Sequence, residues 1–591
     1  MKSQIHSSLK LSLNLVSIFT GLFCLLAPAL YQPVLAQTQL GADINGEAAE
    51  DHSGRVALSS DGNRLAIGAP MNDGNGVDSG HVRVYQWSDS TWVQLGVDID
   101  GEAASDWSGV SVSLSSDGNR LAIGAHNNDG NGNISGHVRV YQWSGSAWAQ
   151  LGADIDGEAE GDRSGWSISL SADGNRVAIG ARDNGDNITY SSHVTAIQGG
   201  SSVRANQNNA GHVRVYQWSG SAWEQLGADI DGEAEGDRSG WSISLSADGN
   251  RLAIGAPWND GNGSESGHAR VYQWSNPTWE QLGSDIDGEA EGDYSGGSIS
   301  LSSDGNRLAI GATPNDGNGD NSGHTRVYQW SDSTWVQLGE DINGEAAGDN
   351  SGEVSLSSDG NRLAIGAPVN DGNGMGSGHV RVYQWTDPAW AQLGEDIDGE
   401  AAEDMSGAEL SLSSNGNRLA IGAKDNNGNG HYAGHVRVYD LSMFNVFQIN
   451  PGLNDAWYYE PTSGQGFFIT VFPDLGAVSL AWFTYDTELP PLDALSNLGD
   501  PGHRWLTAVG PIDGNKAVME IEMTSGGIFD TASIIERTDP PGSDGTIILT
   551  FESCNSATIE YDIPSINRQG IIPIVRVAND NIVICEALKA D

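Results

Sequence analysis

Short loops rich in Asp, Asn and Gly recur along the chain and place side-chain oxygens at nearly alternate positions. This order is similar to a truncated calcium loop, because calcium takes about six to eight oxygen ligands. The candidate ligands are Asp73, Asn75 and Asp78, then Asp260, Asn262 and Glu265, and then Asp316, Asn318 and Asp320. Asn-Asp-Gly is also a common turn sequence, so a purely structural loop is the alternative to calcium binding.

Two further polar positions recur in every repeat. A Gly-Glu-Ala-x-x-Asp motif gives Glu47 and Asp51, then Glu102 and Asp106, and we expect its Asp to form a turn. One histidine also recurs, at His81, His137, His212, His268, His324, His379 and His435. A catalytic group normally occurs once in a special setting, so we expect these histidines to be structural hydrogen-bonding residues.

Enzyme motifs are missing from the sequence: there is no phosphate loop, no nucleophile elbow and no His-Glu-x-x-His. An enzyme should also break the repeat with carboxylates or histidines in one or two copies only. The one large break is about nineteen extra residues in the third repeat, and their polar composition predicts an exposed loop. Candidates in or beside this loop are Arg182, Asp183, Asp186, Tyr190, His193 and Arg204.

These motifs are positioned by a repeat of about fifty-five residues, marked by Gln-Leu-Gly. The markers begin at Gln39, Gln94, Gln150, Gln225, Gln281, Gln337 and Gln392. In one unit, residues 110–114, 120–124, 137–143 and 148–155 read as four strands, here named a to d. A tight turn at Asp117, Gly118 and Asn119 joins the first two, because Gly and Asn accept positive φ.

Seven four-stranded units predict an all-β fold, a seven-bladed β-propeller over residues 37–442. Paired tryptophans such as Trp143 and Trp148 suit the wide outer gap between blades. The seventh repeat leaves the pattern after its third strand, so we expect residues 39–44 to pair with residues 435–440 and close the ring. The remaining residues, 443–591, predict a smaller C-terminal β-sandwich or barrel.

The stretch Leu65-Ala-Ile-Gly-Ala-Pro70, preceded by Ser53-Gly54, resembles the FG-GAP repeat of integrin α-subunit propellers and of exported bacterial surface proteins. Its Gly-Ala-Pro element recurs at residues 255–257 and 366–368. The resemblance implies an adhesion or recognition module. That family often binds calcium between strands a and b, but the turn here has the single carboxylate Asp61, which predicts that the integrin-type site is missing.

Residues 1–36 read as a secretory signal peptide, with Lys2 and Lys10 before an apolar stretch and a small-x-small cleavage signal. No later segment is apolar enough to span a bilayer. Of three cysteines, Cys554 and Cys585 lie beyond the leader, which predicts one disulfide. The net charge of −50 argues against nucleic acid and anionic lipid as partners.

The leading hypothesis is a secreted or cell-surface, non-catalytic binding or adhesion module with an unidentified protein or glycan ligand. No cofactor is certain, and calcium is the candidate. The alternatives are an extracellular hydrolase or lyase acting on polysaccharide, and a structural matrix protein. Because alternate loops of a meander lie at alternate ends, the d-to-a connections should share one face with the b-to-c loops. We expect that acidic face, including Asp260, Asp316, Asp371 and an exposed Trp258, to meet the partner.

The C-terminal region also contains an aromatic cluster, Trp457, Tyr458, Tyr459, Trp482 and Trp505, for which we expect an ordinary core rather than a sugar site.

Overall fold

The computed structural model describes residues 37–185, 209–442, 449–462, 465–484, 505–522, 524–525, 536–537, 544–579 and 581–587. The predicted signal peptide and nearly all of the extra loop of the third repeat, with its candidates Asp186, Tyr190, His193 and Arg204, lie outside these residues. Within them, none of the helices has the length and apolar character needed to cross a membrane.

Seven four-stranded antiparallel sheets follow one another, and blades 1 to 7 are numbered by their strands a. Strands a are Arg55–Leu58, Ser111–Leu114, Ser167–Leu170, Ser242–Leu245, Ser298–Leu301, Glu353–Leu356 and Glu409–Leu412. Strands b are Arg64–Ala69, Arg120–Ala125, Arg176–Ala181, Arg251–Ala256, Arg307–Ala312, Arg362–Ala367 and Arg418–Ala423. Strands c are His81–Ser88, His137–Trp143, His212–Trp218, His268–Ser275, His324–Ser331, His379–Thr386 and His435–Asp440.

The outer strand d is interrupted, and both of its parts pair with strand c. In blades 1 to 6 its first parts are Thr91–Gln94, Trp148–Gln150, Trp223–Gln225, Thr278–Gln281, Thr334–Gln337 and Ala389–Gln392. Its second parts are Ile99–Asp100, Ile155–Asp156, Ile230–Asp231, Ile286–Asp287, Ile342–Asn343 and Ile397–Asp398. The interruption lies at the Leu-Gly pair of the repeat marker.

The N-terminal segment supplies the missing outer strand of blade 7, as predicted. Thr38–Gln39 and Ile44–Asn45 pair antiparallel with strand c of that blade, with Gln39 opposite Tyr439 and Ile44 opposite Val436. The first and last repeats therefore share one sheet. Because the ring is closed, the repeat array has no terminal blade whose sheet lacks a neighbour.

Apolar side chains pack between adjacent blades rather than within them. Between blades 2 and 3, for example, Val138 and Val140 of one sheet pack against Ile168 and Ile179 of the next. Six further clusters of the same composition fill the other blade boundaries. Strand b is buried nearly throughout, which explains its unbroken apolar sequence, since a strand covered on both faces needs no polar alternation.

The tight turns form a continuous hydrogen-bonded ring on one face, here called the turn face. Gly118 has φ of +64°, and a Cβ there would collide with Arg64 of the preceding blade, so the turn needs glycine. Beside it, the Ser60 N–H donates to the carbonyl of Ser116, and the same bond passes from blade to blade until Ser414 donates to Ser60. This ring ties all seven turns together.

The paired tryptophans fill the outer gaps between blades, as predicted. Trp148 of blade 2 lies 5.4 Å from Trp143, centroid to centroid, and its indole N–H donates to the carbonyl of Leu95 in blade 1 at 2.9 Å. Equivalent bonds from Trp92, Trp223, Trp279, Trp335 and Trp390 link the other blades. The tryptophans are therefore structural.

The C-terminal region is a closed eight-stranded antiparallel barrel. Its strands are Asp455–Tyr458, Gly466–Phe472, Ala477–Phe483, Trp505–Asp513, Lys516–Glu522, Thr546–Ser553, Ser556–Ile563 and Arg568–Arg576. Accessory elements are the short pair Thr524–Ser525 and Glu536–Arg537, the 3-10 turns Pro451–Leu453, Glu460–Thr462, Pro473–Leu475 and Pro564–Ile566, and the α-helix Ile582–Ala587. Of the two expected architectures, the structure adopts the barrel.

The barrel core bears on two predictions. Trp457 is fully buried and Trp482 is 7% exposed, so these two members of the aromatic cluster are core residues, whereas Tyr458 and Tyr459 are half-buried and the side chain of Trp505 lies outside what the structure describes. Cys554 and Cys585 form the disulfide, with Cα atoms 5.8 Å apart, and it ties the terminal helix to the barrel. Within the barrel, Arg576 donates to the carboxylate of Asp455 at 2.6 Å, which pairs a buried charge.

Candidate functional site

The b-to-c loops and the d-to-a connections lie on one face, as predicted, and this face is here called the loop face. In blade 1 the Asn75 side-chain amide donates to the carbonyl of Gly101, at 2.8 Å, which joins the loop to the following connection. Asp73 Oδ1 accepts the N–H of Asp78 at 2.9 Å. Two of the three proposed calcium ligands therefore already brace the loop.

Blades 4 and 5 repeat the same bonds. In blade 4, Asp260 Oδ1 accepts the N–H of Glu265 at 2.8 Å, and the Glu265 carboxylate accepts the hydroxyl of Tyr294. The Asn262 amide donates to the carbonyl of Gly288 at 2.9 Å. The blade 5 equivalents are Asp316 with the N–H of Asn321, Asn318 with the carbonyl of Gly344, and the Asp320 carbonyl with the N–H of Gly348. The loops are ordered by their own side chains, and calcium binding stays a prediction.

The Asp of the Gly-Glu-Ala-x-x-Asp motif forms a turn, as expected. Asp106 is 4% exposed, and one carboxylate oxygen accepts the N–H of Ala103 and the amide of Asn128, both at 3.0 Å. On the turn face, burial would raise the pKa of Asp61, but hydrogen bonds from Ser59 and Asn63 outweigh it and lower that pKa. Asp106 and Asp61 therefore stabilise the backbone of their turns.

The recurring histidines are buried, and in five of them the structure does not show the hydrogen bonds that the sequence suggested. His81 is 1% exposed, and its Nδ1 lies 3.9 Å from the carboxylate of Glu47, too far for a hydrogen bond. Among the described residues, Nε2 lacks a hydrogen-bond partner in His81, His137, His324, His379 and His435. Burial lowers the pKa of these rings, to about 4 in His324 and His435, so they are neutral at pH 7.

Each histidine belongs to a triad that sequence reasoning missed. Its potential ligand atoms lie within 4.8 Å of one another in Asp43, Glu400 and His435; Glu47, His81 and Asp98; Glu102, His137 and Asp154; Glu158, His212 and Asp229; and Glu233, His268 and Asp285. The Asp that follows Gln-Leu-Gly in every repeat was the available signal. Arg83 Nη1 also lies 3.6 Å from the Glu47 carboxylate, so an arginine already neutralises part of the first triad.

The loop face departs from the repeat along an aromatic row that runs from blade 2 to blade 5. The row consists of Trp107, His126, Trp166, Trp241, Trp258 and Tyr294, and adjacent ring centroids lie 4.5–5.5 Å apart. Trp258 is half-buried between its neighbours rather than fully exposed. Burial, aided by nearby arginines, lowers the pKa of His126 to about 3, so its ring is neutral.

An arginine cluster lies on this row. Arg182 stacks over Trp166 with its guanidinium carbon 3.2 Å from the ring centroid, and over Trp241 at 4.4 Å. Arg238 lies 4.5 Å over Trp258. Arg163, Arg182 and Arg238 all approach the carboxylate of Asp183, at 3.1, 3.6 and 3.9 Å respectively.

The sequence analysis identified Arg182 and Asp183 as candidates, but it did not indicate which residues they contact. Arg163, Arg238 and the row tryptophans were missed because they lie at positions of the repeat whose side chains otherwise vary. In other repeats the position of Arg163 is occupied by His52, Tyr294, Asn350 or Met405. That variability was the available signal, since positions that the fold does not fix are free to carry function.

A second departure lies at the centre of the ring, where strands a of neighbouring blades run side by side. Their first residue is serine in blades 2 to 5 but Glu353 in blade 6, Glu409 in blade 7 and Arg55 in blade 1. Arg55 forms an ion pair with Glu409. Burial raises the pKa of Glu353 to about 7, although the Ser298 hydroxyl and Arg55 partly oppose the shift.

The chain is similar to solved structures at low sequence identity. Hydrazine synthase of Kuenenia stuttgartiensis is 12% identical, covers 68% of this chain and 98% of its own, and has a TM-score of 0.42. A protein described as a putative 6-phosphogluconolactonase of Bacteroides uniformis is also 12% identical, with coverages of 58% and 85% and a TM-score of 0.40. No curated protein matches the chain. None of these matches supports a functional argument.

The sequence match is more specific. Residues 229–272, which run from the end of blade 3 through strand c of blade 4, match the FG-GAP repeat. The matched stretch includes Gly255-Ala256-Pro257, one of the elements on which the resemblance was based. The chain is therefore a seven-bladed β-propeller that carries the FG-GAP repeat, followed by a closed β-barrel.

Proposed function

We propose that this protein is an extracellular, non-catalytic binding module that recognises its partner with the loop face of the propeller. The FG-GAP repeat and the disulfide support an extracellular setting. The observation that carries the proposal is the aromatic row with its arginine cluster. Positions that repeat sevenfold are used for packing, whereas this row and cluster occur once and lie on the face with the longest connections.

Binding by the purified protein to a panel of immobilised glycans and extracellular proteins tests this function. The Trp258→Ala variant should lose most binding, because it removes an indole at the surface of the row. Trp335→Phe is the matched control, since that ring lies between blades. A saturable ligand whose affinity is the same in wild type and in Trp258→Ala would contradict the assignment to this face. A structural matrix protein would show no saturable ligand.

The acidic b-to-c loops support a second part of the proposal, that cations contribute to partner binding. Asp260, Asp316 and Asp371 each accept one backbone N–H, and close carboxylates repel one another unless they are neutralised. Changing all three to Asn keeps an acceptor oxygen and removes charge, so calcium uptake should fall while the ring stays folded. Asp117→Asn with Asp304→Asn, on the turn face, is the control. Equal loss in both variants, measured by calorimetric titration, would overturn this part.

The paired carboxylates of blades 6 and 7 favour a second candidate, a polysaccharide hydrolase or lyase. Glu353 and Glu409 begin neighbouring inner strands, and a carboxylic acid whose pKa is raised to about 7 is of the kind that acts as general acid in glycoside hydrolysis. Both lie at the inner strands of the ring, where a polymer chain has poor access. Reducing-end release from a polysaccharide panel tests the idea, and turnover abolished by Glu353→Gln would favour the enzyme over the binding module.

A further inference from the structure

The arginine cluster concentrates positive charge in a strongly acidic protein. Three guanidinium groups, Arg163, Arg182 and Arg238, approach the single carboxylate of Asp183, whereas the whole chain carries a formal charge of −50. The three nitrogen-to-oxygen distances are 3.1, 3.6 and 3.9 Å. Among the described residues, three cations therefore share one carboxylate here, which leaves net positive charge for an external anion.

The three arginines differ in their access to solvent. The side chains of Arg163 and Arg238 are 34% and 33% exposed, but that of Arg182 is only 10% exposed. Burial lowers the pKa of Arg182 to about 10, so this arginine is still a cation at neutral pH. Because Arg182 is fixed between Trp166 and Trp241, it forms the floor of the cluster, and the other two arginines can contact a ligand.

Two adjoining cavities share Arg238. One measures 330 Å³ and is lined by Arg163, Arg182, Asp183 and Arg238. The other measures 370 Å³ and is lined by Arg238, Trp258, Glu235, Asp260, Ser264 and Glu265. Cavities of about 300 Å³ and above are of the size that binds small ligands. A cationic compartment thus adjoins one that offers an indole ring and carboxylate acceptors.

We propose, building on the proposed function, that this site binds an acidic carbohydrate, with a uronic-acid carboxylate between Arg163 and Arg238 and the neighbouring sugar ring at Trp258. Guanidinium groups pair bidentately with carboxylates, and the apolar face of a sugar stacks on indole. Sugar hydroxyls can donate to Glu235 and Asp260. An acidic peptide can also offer carboxylates to the arginines, but it has no sugar ring to stack on the indole of Trp258.

Titration calorimetry with oligogalacturonate, with a neutral galactose oligomer and with an oligoglutamate peptide tests the inference. Wild type should bind oligogalacturonate and neither of the others. Arg238→Gln should weaken this binding roughly tenfold or more, because a charge-assisted bond is lost. Asp183→Asn should strengthen it, since it removes the competing carboxylate. Lys424→Gln, at the position of blade 7 that corresponds to Arg182, is the matched control and should bind like wild type.

The outcomes separate this inference from the function on which it rests. If the neutral oligomer binds as well as the acidic one and Arg238→Gln has no effect, the acidic-carbohydrate assignment is wrong while binding through the row stands. If oligoglutamate binds as tightly as oligogalacturonate, the ligand is a protein and the assignment is also wrong. If no member of the wider glycan and protein panel binds, the proposed function itself fails. An unchanged unfolding temperature shows that each variant is folded.

Discussion

Two corners of the loop face use the same four backbone positions but differ in net charge. In the blade-3 corner they hold Arg163, Arg182, Asp183 and Arg238, and the corresponding residues in the blade-7 corner are Met405, Lys424, Asp425 and His52. Asp425 is paired directly, with Lys424 Nζ at 2.7 Å and His52 Nδ1 at 2.9 Å. Asp183 instead faces three guanidinium groups, at 3.1, 3.6 and 3.9 Å.

The difference shows how a repeat protein gains a singular site without altering its frame. Strands, blade cores and turns are the same at both corners, so the side chains occupy equivalent places. Hydrogen bonds from His52 and Lys424 outweigh burial and lower the pKa of Asp425, so that corner is internally neutralised. The blade-3 corner has excess cation and stacked indoles, which suit an external anion.

Opening the ring should have the largest effect on stability and should separate the two corners, because only the blade-7 corner depends on the closing strand. Deleting residues 37–45 removes the pairing of Gln39 with Tyr439 and of Ile44 with Val436. We expect a loss of several kcal/mol, since an uncovered sheet edge and apolar surface are exposed. Hydrogen exchange should rise in blade 7 first. Gln37→Ala, which loses only side-chain bonds to Leu393 and Glu395, is the mild control.

Low pH should lower the free energy of unfolding at both corners alike, because the buried histidines repeat around the ring. Burial, assisted by a neighbouring arginine, lowers the pKa of His268, His324 and His435 to about 4 from a usual value near 6.5. The folded state favours the neutral rings, so this stability is complete above about pH 6.5 and is lost as pH falls toward 4, with each ring contributing on the order of 3 kcal/mol.

Denaturant unfolding at several pH values measures this loss. His431→Gln should leave the profile unchanged, since that ring is 64% exposed. A free energy of unfolding that stays constant between pH 7 and pH 5 would contradict the burial of neutral imidazoles.

The inner charges of blades 6 and 7 should show the reverse dependence. Because burial raises the pKa of Glu353 to about 7, the folded state favours the protonated acid. Its stabilising contribution is present below about pH 4.5 and is lost as pH rises toward 7, on the order of 1–3 kcal/mol. Glu353→Gln should therefore gain stability at pH 7 relative to wild type. Glu409→Gln should lose it, because Arg55 is left without its partner. Equal effects from the two variants would refute the assignment.

The smallest expected effect separates structural from binding tryptophans. Trp279→Phe removes the indole N–H bond to the carbonyl of Leu226 and should cost about 1 kcal/mol of unfolding free energy with no change in ligand affinity. Trp258→Phe, in the aromatic row, should change stability less and affinity more. Thermal unfolding and ligand titration of both variants measure the contrast. The reverse pattern would place the binding surface between blades.

Much of the architecture was predictable because seven copies repeat one pattern. The sevenfold repeat of four strands, the glycine of the Asp-Gly-Asn turn and the lone strand at the N-terminus predicted the propeller and its closure. The cysteine pair indicated the disulfide. The triads and the arginine cluster were not predictable, since each triad joins three separate segments of the chain and Arg238 reaches the cluster from the next blade. Trp258 looked exposed because its row neighbours are distant in sequence, with Trp241 before strand a of the same blade and Tyr294 in the next repeat.

By itself, the sequence determined the blade, the number of blades and the order in which they close, because local periodicity and turn chemistry act within each copy. Only the tertiary structure decided which side chains meet on the loop face. Arg163 and Arg238 are 75 positions apart, yet both approach Asp183, because the same position of two successive repeats comes to adjacent places on the ring. The site therefore arises from the ring geometry acting on positions that the repeat leaves variable.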